Sequence, residues 1–322
     1  MSFPQAPWWQ RFQQRLSRTP AAEISGQAEL IERSELFSIG QLENHARFLA
    51  SQHKSGPLRD SELLLHQLAR DKSSIHHCYQ TITKSLQQRR RILPAAEWLL
   101  DNYHLILEQI ELAEAHLSPG YSRGLPRLTA GARRGFPRIY DVVMEVVLHS
   151  DGQVDHESLS RPICAYQEMQ PLTLGELWAV PIMLRLSLVA KLRLAAQRIA
   201  WHSNQWDMAQ YWANRFLKIV ETDPRMFVAE LGAFVRAAPP LTPPFISELI
   251  THIDGVDPVL GLALNWIEQE LSYKGQSIEQ VKRSETQAQA ANLVTIRNCI
   301  TSLRAMASID WTDFVETASE VE

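Results

Sequence analysis

Residues 173–201 read TLGELWAVPIMLRLSLVAKLRLAAQRIAW. Thr173 followed three residues later by Glu176 forms a capping box, and Leu172 and Leu177 take the flanking staple positions, so a helix begins here. The spacing predicts a long helix running to about Trp201. Pro181 falls in its second turn, where a missing N–H and a bulky ring predict a kink. Leu177 to Leu184 is the most apolar stretch of the chain, but it spans only eight residues before Arg185. A membrane-crossing helix needs ~20.

The same helical period extends outward in both directions. Upstream, Ile39, Leu42, Ala46 and Leu49 recur at three- and four-residue steps behind a Ser38/Gln41 capping box, with Phe37 and Leu42 at the staple positions. Lys54-Ser55-Gly56-Pro57 ends that helix. A second helix is expected from near Asp60 to about Arg91, with Leu64, Leu68, Ile75, Cys78, Ile82 and Leu86 as its stripe. The Arg89–Arg91 run at its end suits the helix dipole better than nucleic acid. Pro94 suits the first turn of a helix through Leu117. Residues 118–138 hold three Pro, four Gly and five Arg and read as an ordered loop. A short, very apolar helix covers Ile139 to His149, and Asp155 can cap the next.

Downstream of Trp201, Ser203 or Asn204 is expected to cap a further helix through Val220. Asp223-Pro224 and Asp257-Pro258 are cap-plus-proline starts. Residues 239–244, PPLTPP, read as an extended linker. Ser277/Gln280 opens a helix of nearly thirty residues, and Asp310 caps a last one. No strand of convincing length and no strict repeat appears. The fold class is all-α, an irregular multi-helix bundle or α-solenoid-like array. Its expected organisation is an N-terminal arm over 1–35, a main helical domain over 36–238, the linker at 239–244 and a C-terminal helical subdomain over 245–322.

Composition narrows the function. The 322 residues include only 13 Gly, fewer than a doubly wound nucleotide-binding enzyme uses at its turns and phosphate loops. A net charge of −4 gives no global basic field for nucleic acid. Cys78, Cys164 and Cys299 are far apart and odd in number, so no disulfide framework or metal-ligand pair is expected, and a reducing compartment fits. Met1-Ser2-Phe3-Pro4-Gln5 lacks a secretory pattern. Trp8-Trp9 ahead of Arg11 can anchor the N-terminus or sit at a membrane interface. There is no Walker loop, GxGxxG, HExxH or GxSxG. Adjacent helical residues point about 100° apart, so His76-His77 cannot clamp one metal without ligands from elsewhere. No metal ligand and no cofactor is expected.

The informative residues concentrate between 94 and 201. PAAEWLLDNYHLILEQI (94–110), LSPGYSRGLPRL (117–128) and AYQEMQPLTLGELWAVPIMLRL (165–186) resemble the N-terminal helical region of the cyclic β-1,2-glucan synthases. LFSIGQLENHARFLA (36–50) and TSLRAMASIDWTDFVE (301–316) extend the resemblance over nearly the whole chain. The resemblance implies a large inner-membrane protein of glycosyltransferase family 84 that polymerises glucose from UDP-glucose, adjusts chain length by phosphorolysis and closes a periplasmic ring. Set against the family, this chain stops before the membrane and transferase domains that carry the catalysis, so it is either a truncated piece of such a synthase or a stand-alone α-helical carbohydrate-binding or protein-interaction scaffold. The expected partners are the remainder of the synthase, glucan or UDP-glucose, and not nucleic acid. The expected place is cytoplasmic, at the inner face of the inner membrane.

Two sets of residues are candidates to contact glucan or a neighbouring domain. Glu97, Asp101 and His104 fall on one helical face at i, i+4 and i+7, beside Tyr103. That face either grips a ligand or is solvated and paired with the basic loop. Tyr121, Arg123 and Arg127, with Arg133, Arg134 and Arg138, make the loop able to hold an anion or to pair with that acidic face. Glu176 sits in the capping box. Trp178 can stack on a sugar ring, whereas the flanking Leu99 and Leu100 turn Trp98 inward. Glycosidic chemistry requires paired carboxylates, and no pair stands out as catalytic.

Overall fold

A 49-residue helix dominates the computed structural model, which describes residues 34–56, 62–88, 91–117 and 124–319. Twelve α-helices are present among the described residues. They are α1 (Ile39–Gln52), α2 (Leu63–Gln87), α3 (Pro94–Asp101), α4 (Tyr103–His116), α5 (Arg138–His149) and α6 (His156–Gln167). The long helix α7 (Leu174–Thr222) follows, then α8 (Phe227–Ala237), α9 (Pro243–Ile253), α10 (Gly261–Tyr273), α11 (Ile278–Ala305) and α12 (Trp311–Ser319). Two-residue strands β1 (Ser55–Gly56) and β2 (Arg127–Leu128) pair antiparallel. The all-α reading therefore holds. Among the described residues no helix is long and apolar enough to cross a membrane.

Local chemistry starts five of these helices as the sequence predicts. Ser38/Gln41, Thr173/Glu176 and Ser277/Gln280 form reciprocal capping boxes, and Asp155 does the same with Ser158. Asp310 accepts from the backbone of Thr312 and Asp313. The N-terminal arm, including Trp8 and Trp9, lies outside the described residues except for its last two positions, as do Asp60, Arg89 and Arg90.

Tertiary packing corrects four other expectations. The helix predicted through Leu117 breaks at Asn102, whose amide folds back on Trp98 O (2.8 Å) and whose carbonyl oxygen accepts from Arg304 (2.5 Å). The helix predicted to stop near Trp201 continues to Thr222, because His202, Gln205 and Trp206 stay buried on the same face. Packing on both flanks overrides the capping preference of Ser203 and Asn204. Pro181 is carried inside this helix without ending it. Pro243 and Pro244 are the first residues of α9, so the extended stretch stops at Thr242, since proline's fixed φ suits the first helical turn. α2 ends at Gln87. Arg91 lies beyond that end, with its guanidinium 5.3 Å from the Trp206 ring centre.

α7 threads two hydrophobic clusters. Leu177 to Leu192 is apolar and buried on nearly every side, the pattern of a helix enclosed by others. It packs against α2, α4, α5, α11 and α12 there. From Ala209 onward it joins a second cluster with α8, α9, α10 and the start of α11. Edge-to-face contacts organise this end, including Trp212–Phe234 (5.0 Å, 82°) and Phe234–Trp266 (5.4 Å, 83°). Thr242 ties the extended stretch to α7 by donating to Gln205 at 2.8 Å.

The turn after α5 is a buried polar joint with α11. Asp151 (φ 51°) and Gly152 (φ 78°) both take the left-handed conformation. Thr295 donates to the Asp151 carboxylate at 2.8 Å, and Lys191 on α7 lies 3.4 Å from it. Ser302 donates to Gly152 O (2.8 Å) and accepts from Val154 N (2.9 Å). Cys299 faces the glycine, and burial pushes its thiol up to about 12.

A second buried ion pair joins α2 to α7, with Arg193 Nε 2.8 Å from Asp71 Oδ1. Burial pushes the Asp71 carboxyl up to about 6, outweighing the opposing pull of Arg193 and Gln67. The folded chain therefore resists ionising Asp71. The stability tied to this group is complete below the ordinary carboxylate value of ~4 and is lost as pH rises through about 6. D71N abolishes the titration, so its stability relative to the parent should climb between about pH 4 and pH 7. Urea unfolding across that range checks this, and a flat difference would contradict the shift.

Candidate functional site

The described candidates from the sequence do not form one site. Glu97, Asp101 and His104 are all exposed, and the break at Asn102 puts Glu97 and Asp101 on α3 but His104 on α4. None of the three has an ion-pair partner among the described residues. Tyr103 is buried, stacked on Tyr79 (3.8 Å) and bonded to His76 Nδ1 (2.7 Å). Tyr121 and Arg123 lie outside the described residues. Arg127 is 2% exposed and donates to Gly135 O at 2.6 Å, so it fixes the loop from within. Trp98 is partly buried against the core and has Arg297 6.0 Å from its ring. Trp178 is 48% exposed on the first turns of α7.

The basic loop finds its acids elsewhere, in a network laid across α1, α5, α6 and the start of α7. Arg133 bridges Asp141 and Glu145, donating to Glu145 Oε1 at 2.7 Å. Arg138 grips Glu176 with two bonds, Nε to Oε1 (2.7 Å) and Nη2 to Oε2 (2.8 Å). It also donates to Gln170 (3.1 Å) and Pro171 O (2.8 Å). Gln170 in turn donates to Ala50 O (2.7 Å) and His53 O (3.0 Å), which fixes the end of α1. Glu176 serves twice, since its Oε2 accepts from Thr173 N at 2.8 Å in the capping box.

Three histidines complete the network. His53 Nε2 lies 3.0 Å from Asp141 Oδ2, and its Nδ1 lies 3.0 Å from the Tyr166 hydroxyl. A carboxylate only accepts, so Nε2 carries the proton, and in neutral His53 the hydroxyl of Tyr166 donates to Nδ1. Burial pushes Tyr166 up to about 12, with Arg138 opposing, so this hydroxyl stays protonated. His45 Nε2 and His149 Nε2 both approach Glu145 Oε2, at 3.0 and 3.3 Å. Phe37 stacks on His149 at 3.9 Å and its N–H donates to His149 O at 3.0 Å. Burial alone would raise Glu145, but His149, His45 and Arg133 outweigh it and hold this carboxyl well below the usual range. Two guanidinium groups against three carboxylates leave the network one negative charge in excess when its histidines are neutral.

Sequence reasoning missed His45, His53, Asp141, Glu145 and His149. One trace was available, because Asp141, Glu145 and His149 recur at i, i+4 and i+8 in an α5 that is otherwise apolar after Arg138. His45 stands one hundred positions before Glu145, a distance no local pattern spans.

No protein-family profile matches the chain. It is 27% identical over 312 residues to the cyclic beta-(1,2)-glucan synthase NdvB of Rhizobium meliloti (strain 1021). The match covers 96% of this chain and 11% of that protein. Nearly the whole chain is thus similar to a fragment, about a ninth in length, of a much longer cyclic glucan synthase.

Proposed function

We propose that this chain is a helical module of cyclic β-1,2-glucan biosynthesis that supports or regulates glucosyl transfer from UDP-glucose without itself performing it. The near-full-length similarity to one segment of a curated synthase carries this reading. On this reading the partners are the remaining membrane and transferase parts of such a synthase, and the module works at the inner face of the inner membrane. A part-buried network whose arginines are each paired internally suits a rigid docking body better than a transfer site. Trp178, 48% exposed on the first turns of α7, is the candidate group left most open to stack on a glucan.

A segment exchange tests the proposal. The Rhizobium meliloti synthase is prepared with its matching segment deleted, or replaced by this chain, and cyclic glucan is quantified. Deletion should lower the yield or broaden the ring sizes, and replacement should restore them at least in part. Unchanged product after deletion would overturn the proposal. Calorimetric titration of the purified chain with β-1,2-glucooligosaccharides and UDP-glucose separates sugar contact from scaffolding, and W178A should abolish any oligosaccharide heat.

A further inference from the structure

The geometry points to a divalent metal site at His45, Glu145 and His149, three protein ligands with zinc as the best-matched ion and one coordination position open. This inference stands apart from the glucan reading. Two imidazoles and one carboxylate are the ligand set of many three-ligand zinc sites. In a tetrahedral site with bonds of ~2.0–2.1 Å, ligand atoms stand about 3.3 Å apart. Here two of the three separations are 3.0 and 3.3 Å, and all three ligand atoms lie within 4.8 Å of one another. The third separation needs to shorten by at most about 1.5 Å to reach the tetrahedral value.

The surroundings fit such an ion. Arg133 holds Glu145 by Oε1 and leaves Oε2 for the metal, which is the usual duty of an outer-shell partner. The network's excess negative charge favours a cation over a neutral occupant. The three side chains are 23%, 16% and 15% exposed, so an ion has a path in while Phe37 walls one side. As the molecule stands, two imidazoles crowd a single carboxylate oxygen. A metal would replace both N–H contacts and bind through the same three atoms.

The full chain, stripped with chelator, is titrated with Zn2+ by calorimetry and with Co2+ by visible absorption. One Zn2+ per chain should bind, and Co2+ should give the intense bands of a four-coordinate site. H45A and H149A should each weaken Zn2+ by more than the ~10–100-fold that loss of an outer-shell partner brings. H66A, at an exposed histidine on α2, should leave binding unchanged. His45 is the most exposed of the three ligands, so H45A disturbs packing least and keeps the test sound even if H149A does not fold. No saturable binding, or binding that survives both substitutions, would overturn the site.

Discussion

Glu176→Ala is expected to lower the unfolding free energy by about 3–5 kcal/mol, the usual result of removing one partner from a buried ion pair. Glu176 has no exposed surface and Arg138 keeps only 8% of its side-chain area exposed. Without the carboxylate, the guanidinium remains buried with only neutral acceptors for its hydrogens, Gln170, Pro171 O and the Tyr166 hydroxyl among them. The same change removes the Glu176 half of the α7 capping box and leaves Thr173 N without its acceptor, a further loss of about 1 kcal/mol. Urea denaturation measures the sum. R138M combined with E176A should recover a large part of the deficit, because no lone charge is then left inside. If E176A unfolds within about 1 kcal/mol of the parent, the pair contributes far less than its burial implies.

Gly152→Ala should cost about 2–4 kcal/mol, from two separable sources. The backbone at Gly152 has φ +78°, a conformation that side chains with a Cβ rarely adopt. A Cβ there would also stand 2.4 Å from Cys299 Sγ, which is fully buried on α11 and has little room to yield. Once that sulfur is gone, the nearest remaining atoms, Cys299 N and Cα at 3.5 and 3.6 Å, are ordinary contacts. C299A should therefore rescue the clash in G152A and leave about 1–2 kcal/mol of backbone strain. Additivity of the two single substitutions in a thermal or urea experiment would disprove the contact.

Both sites carry a lesson about what a sequence exposes. Ser38/Gln41, Asp155, Thr173/Glu176, Ser277/Gln280 and Asp310 were legible because a cap is settled within four residues. The all-helical class was legible because the apolar period repeats everywhere. The break at Asn102 and the continuity across Ser203–Asn204 were not. Each depends on a partner far along the chain, Arg304 in one case and the helices flanking α7 in the other. The candidate site follows the same division. The basic loop is visible as a cluster of arginines, but nothing local in the sequence tells its true acids from the Glu97–His104 face. The fold instead brings Asp141, Glu145 and Glu176 to it, and draws His45 and His53 across from α1.

Mechanically, α7 is a beam shared by two cores. At 1.5 Å per residue its 49 residues extend about 73 Å. A tilt of about 5° at the Thr173 end, where Arg138 clamps it, would sweep the far end through about 6 Å. A molecule that seats on the first turns of α7 thus has leverage over whatever the aromatic cluster around Trp212 and Phe234 touches, with no intervening loop to absorb the motion.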